Sequence, residues 1–80
     1  MTVDEIFSYV RKELPQREGI YGTWRGSATL ASSLANQAVT YGNAGDKKEA
    51  KDCLRRVVLH AILAIVELER AKNPSIWGTE

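Results

Sequence analysis

Apolar side chains recur at helical spacing in three stretches of this chain, separated by two glycine-bearing breaks. In the first stretch Val3, Ile6, Phe7 and Val10 fall on one helical face, with Leu14 a turn further on. "TVDE" supplies the start: the Thr2 hydroxyl caps the helix while Glu5 reaches back to the Thr2 N–H, a capping box. Pro15 is expected to end this helix, because a proline pushes the residue before it out of the α region. The second stretch, "SATLASSLANQAVTYGNAG", puts Leu30, Leu34 and Ala38 in one stripe with Ala31, Ala35 and Val39 beside it. Ser27 is its expected N-cap, and Gly42 to Gly45 its stop. The third stretch runs from Asp46, its expected cap, to about Lys72, with Asn73-Pro74 as the terminator.

The third helix is the most apolar. At 100° per residue, Ala50, Leu54, Val57, Ala61, Ile65 and Leu68 form an expected buried stripe. Leu59, Ile62, Leu63 and Val66 form a second one nearly opposite. A helix apolar almost all round needs neighbours on every side, and two shorter segments hardly supply them. Association through the second stripe is therefore expected, with a two-fold dimer as the basic unit. The middle helix has no charged side chain between Arg25 and Asp46, which suggests that it too is covered on more than one side. The fold class expected is all-α: a single helical domain over 1–80, with a short first helix, a charge-free middle helix and a long last helix, assembling into a homo-oligomeric bundle. Trp77, in the short tail, is expected to fold back on the bundle or to dock on a neighbouring subunit.

Composition narrows the choice of partners. A chain of 80 residues buries little surface per residue, which again favours association. A formal charge of +1 gives no reason to expect a nucleic acid as partner. A lone cysteine, Cys53, fits a reducing cytoplasm. The amino terminus does not read as a signal peptide, and no window reaches the roughly 18 apolar residues of a membrane span.

Catalytic chemistry is not expected. Glu67 and Glu69 are two apart and point to different faces of their helix, and Glu49 and Asp52 sit among lysines expected to pair with them, so no metal site is expected. Cys53 and His60 lie seven residues apart, about 10 Å along one helix, too far for a thiolate–imidazole pair. No cofactor is implied. What remains is "GIYGTWRGS", Gly19 to Ser27. Tyr21 and Trp24 offer faces for stacking a ring, and Arg25 a fork for phosphate. Gly26 permits close backbone approach, and the N–H groups near Ser27 favour an anion. The alternative for this segment is a glycine-hinged turn whose rings cap the bundle. Arg55 and Arg56, on the flank of the long helix, are a second candidate for anion contact, with Arg56 included in the expected ligand set.

"EIFSYVRKELPQREGIYG" and "LRRVVLHAILAIVELERA" resemble the opening and closing helices of MazG-type all-α nucleotide pyrophosphohydrolases, particularly the small phage versions, a likeness spanning most of residues 5 to 71. In that family the middle helix carries an ExxE-type motif and the next an ExxD pair, which together hold metal. This chain has Ser32, Ser33 and Asn36 where those acids would stand, and Asp52 to Arg55 in place of the second pair. The resemblance thus implies a pseudo-enzyme that kept the bundle and a nucleotide affinity without hydrolysis. "HAILAIVELERAKNPSIW" is also similar in cadence to the last helix of small phage proteins that sequester cyclic oligonucleotide signals of bacterial immunity. The expected function is a non-catalytic helical oligomer binding a nucleotide or another phosphorylated small ligand, such as an anti-defence sequestering protein. The alternative is a protein-interaction module, a small phage-type inhibitor or adaptor.

Overall fold

The computed structural model describes residues 1–71, and among these the ordered elements are all helices. Helix α1 spans Val3–Arg17, α2 Trp24–Asn43 and α3 Lys47–Arg70. The capping box is present: the Thr2 side chain accepts from the Glu5 N–H, and the Glu5 carboxylate accepts from the Thr2 N–H at 3.0 Å. Asp46 caps α3 by accepting from the Glu49 N–H. The expected terminator Asn73-Pro74 and Trp77 lie outside the described residues.

Two boundaries differ from expectation. Helix α1 runs through Pro15 to Arg17. Near a C-terminus a proline forfeits a single backbone bond, its φ suits the helix, and Pro15 lies exposed. Helix α2 starts at Trp24, three residues before Ser27, with Thr23 as N-cap accepting from the Arg25 N–H. Ser27 therefore sits inside the first turns and caps nothing.

Helices α2 and α3 form an antiparallel hairpin closed by Ala44, Gly45 and Asp46, with Gly45 at φ 83°. The start of α2 meets the end of α3, where the Ser27 hydroxyl donates to Glu67 at 2.7 Å. Helix α1 runs alongside α3 in the same direction, with Tyr9 against Arg55 and Glu18 paired with Arg70. Helices α1 and α2 pack on α3 but not on each other. The described residues measure 43 × 24 × 17 Å, the thinnest dimension about one and a half helix diameters. They form a layer with α3 in the middle, and the gap between α1 and α2 is open. No helix among the described residues is long and apolar enough to cross a membrane.

The buried face of α3 is neither expected stripe. Cys53, Leu59, His60, Leu63 and Ala64 are buried. Leu59 and Leu63 come from the second stripe, whereas Cys53, His60 and Ala64 belong to neither. The stripe expected to be buried faces out, with Leu54 51%, Ile65 60% and Leu68 39% exposed. The second stripe cannot then serve as the surface between copies, because Leu59 and Leu63 are already covered inside one chain. The reason is physical: the arc between the two stripes carries Asp52, Arg56, His60 and Glu67, whose polar groups find partners or line a cleft there. Polar side chains with partners can occupy an inward face, and hydropathy alone does not register the partners.

Candidate functional site

The gap between α1 and α2 is a cleft of about 530 Å³, floored by α3. Tyr9, Lys12, Glu13 and Arg17 line it from α1, Tyr21 from the loop, Leu30 and Leu34 from α2, and Arg55, Arg56, Leu59 and His60 from α3. On α1, Tyr9, Glu13 and Arg17 are spaced four apart, as are Asp52, Arg56 and His60 on α3. Two polar ladders thus run along neighbouring helices. Such a volume falls within the range of small-ligand sites.

Each of the three arginines is held by something definite. Arg17 donates to the Tyr21 hydroxyl and to the Glu13 carboxylate, both at 2.8 Å. Those bonds, Tyr21's first, hold its guanidinium protonated beyond its ordinary range. Arg55 lies over the Tyr9 ring, 4.1 Å from the centroid, and donates to Asp52. Arg56 stands 3.5 Å from the same Asp52 carboxylate. Lys12 has no carboxylate partner among the described residues. His60 is 3% exposed and meets the Tyr21 ring edge-on at 4.9 Å. Burial lowers its pKa, and the nearby Arg17 and Arg56 charges add to that. Its Nδ1 and the Arg55 Nε are both buried without a hydrogen-bond partner.

The residues expected from sequence divide between this cleft and its surroundings. Tyr21 and Arg56 enter the cleft. Trp24 turns the other way, toward Glu18, Glu67 and Arg70, and Arg25 lies 5.1 Å from its ring centroid as a cation–π partner. Ser27 is fully buried with its hydroxyl committed to Glu67. Gly26 faces the loop, where a β-carbon would stand 1.9 Å from the Tyr21 carbonyl oxygen. That contact, together with Gly19 and Gly22 at φ 79° and 85°, folds the loop back so that Tyr21 reaches the cleft. The Glu67 carboxylate locks the fold-back by accepting from Gly19 N–H at 3.1 Å as well as from Ser27.

Tyr9, Lys12, Glu13, Arg17 and His60 line the cleft beyond the expected candidates, and Arg55, expected together with Arg56, joins them there. The signal that finds Tyr9, Glu13, Arg17 and His60 is the pair of four-residue polar ladders, one of which interrupts an otherwise apolar helix; Lys12 stands on neither ladder. Among the described residues no group of three or more His, Cys, Asp or Glu side chains is placed to hold a metal ion. No protein-family model matches this chain, and no curated protein or solved structure matches it.

Proposed function

We propose that this protein is a non-catalytic binder of a phosphorylated small ligand, with nucleotides as the leading class, and that the cleft between α1 and α2 is where the ligand sits. The observation that carries this is the convergence of Lys12, Arg17, Arg55 and Arg56 from two helices around one cleft that also presents the Tyr9 and Tyr21 rings. Guanidinium groups suit phosphate oxygens and tyrosine faces suit a planar ring. The carboxylates at hand, Glu13 and Asp52, are both engaged by arginines, which leaves them as positioning groups for cations. Sequestration of a phosphorylated signal in the cytoplasm, as in an anti-defence protein, is the role that such binding without turnover would serve.

Backbone amide NMR during titration with a nucleotide panel, cyclic oligonucleotides included, tests this at near-physiological salt. Shifts confined to residues around Lys12, Arg17, Tyr21, Arg56 and His60 are expected. A panel in which no member moves these signals overturns the proposal, as does release of pyrophosphate from a nucleoside triphosphate.

The face opposite the cleft supports a second component. Leu54, Ala61, Ile65 and Leu68 lie exposed along one side of α3, and we propose that a second copy covers them. Sedimentation at micromolar concentration checks this: a stable folded monomer removes the dimer and leaves the stripe to a different protein partner.

A further inference from the structure

We infer that the ligand of this cleft is a phosphate monoester, bringing two negative charges to its mouth and a hydrogen-bonding group to His60 Nδ1 at its floor. This rests on the ligand-binding proposal and specifies the class of molecule.

The charge follows from the pairing. Lys12, Arg17, Arg55 and Arg56 are four cations around the cleft. Glu13 neutralises Arg17, and Asp52 is shared between Arg55 and Arg56. Two positive charges are left without a carboxylate. They belong to the open side: Lys12 and Arg56 are exposed, whereas His60 and Leu59 are buried. A monoester dianion presents three non-ester oxygens and satisfies an ammonium and a guanidinium fork together. A phosphodiester brings one charge and two such oxygens. A triphosphate brings charge for which the cleft holds no further cation.

The floor makes a separate demand. A buried nitrogen without a partner is costly, and a bound polar group is one way to satisfy it. Among the described residues three such atoms occur: His60 Nδ1 and Arg55 Nε belong to side chains that line this cleft, and Trp24 Nε1 lies outside it. The Tyr21 ring and the α2 side chains Leu30 and Leu34 complete the surroundings and offer His60 no polar alternative on the α2 side. The ligand's inner end therefore carries a polar edge, as a heterocyclic ring does, held between the Tyr9 and Tyr21 rings.

The full chain is titrated by calorimetry at about pH 7.5, above the second phosphate pKa of about 6. For each of the four common bases the probes are the nucleoside, the 3′,5′-cyclic monophosphate, the 5′-monophosphate and the 5′-triphosphate, with pyrophosphate and cyclic dinucleotides alongside. At least one 5′-monophosphate is expected to bind about tenfold more tightly than its cyclic counterpart, with its triphosphate no tighter. Steady tightening up to the triphosphate, or preference for a cyclic dinucleotide, overturns the monoester assignment while leaving ligand binding intact. Failure of every phosphate-bearing probe, pyrophosphate included, overturns the binding proposal itself and this inference with it. His60 is the only histidine, so its imidazole nitrogens can be followed by ¹⁵N NMR without assignment. Addition of the monophosphate is expected to shift Nδ1, and His60→Phe, which keeps the ring edge against Tyr21, to weaken binding about tenfold. An unmoved Nδ1 signal, or an unchanged affinity in a folded His60→Phe, overturns the floor contact.

Discussion

The Ser27 hydroxyl donates to the Glu67 carboxylate at 2.7 Å across a sequence separation of 40, and this bond fastens the start of α2 to the end of α3. Glu67 accepts from the Gly19 N–H with its other oxygen, so one carboxylate ties the loop and both helices together. A hydrogen bond to a charged group contributes about 1.5–3 kcal/mol when its partner is left buried. Ser27→Ala is therefore expected to cost about that much in denaturant unfolding. Glu67→Ala should cost more, because it frees two donors, and Glu67→Gln less, because the amide keeps one acceptor. Equal stabilities for all three variants would show that the bond does not hold the hairpin shut.

Gly26 is the point where the loop rests on α2. A β-carbon there would lie 1.9 Å from the Tyr21 carbonyl oxygen, a backbone atom that has no rotamer by which to yield. Gly26→Ala should push the loop away and cost about 1–3 kcal/mol, the range for overpacking. It should also withdraw Tyr21 from Arg17 and His60, so any ligand affinity of the cleft falls more than stability does. Thermal melts paired with the Tyr21-to-His60 contact in NOE spectra would measure both.

Much of this was legible in the sequence. The three helices, the Thr2–Glu5 capping box and the Asp46 cap follow from local pattern, because caps act over three or four residues. Facing was less legible. On α3 the hydropathy of Leu54, Ile65 and Leu68 points to burial, but the inward arc is the one with Asp52, His60 and Glu67. His60 and Glu67 turn inward because Tyr21, Ser27 and Gly19 meet them, and these partners come from segments distant in sequence. Of the three loop side chains expected at a ligand, Tyr21 reaches the cleft, whose cations sit on α1 and α3, whereas Trp24 and Arg25 lie outside it.

The two faces of α3 should answer differently to charge. Leu63 is 0% exposed, so Leu63→Glu buries a carboxylate with no partner and is expected to unfold the chain. Ile65→Lys and Leu68→Lys lie on the outward stripe and should change the stability of a single copy by no more than about 0.5 kcal/mol. If a second copy covers that stripe, the same two changes convert dimer to monomer in sedimentation. Unfolding by Ile65→Lys in a chain already monomeric would place the stripe inside the core after all.

His60 gives the fold a dependence on pH with a definite sign. Burial lowers its pKa from 6.5, and Arg17 from α1 and Arg56 from α3 repel a proton there, while Leu30 and Leu34 of α2 bring no charge to oppose them. The folded protein thus binds this proton less readily than the unfolded chain. Stability is full above about pH 6.5 and is lost as pH falls from there through the lower folded-state value, at up to about 1.4 kcal/mol per pH unit for one proton. Glu5, whose pKa the Thr2 cap depresses from 4.5, withdraws its own contribution only at more acid pH, so the two windows separate. Denaturant midpoints measured between about pH 7.5 and 5 should fall for the wild type and stay level for His60→Phe. A wild-type midpoint that holds level across this window would mean that the imidazole takes up its proton as easily folded as unfolded. In that case the two arginines do not act on it as their placement implies.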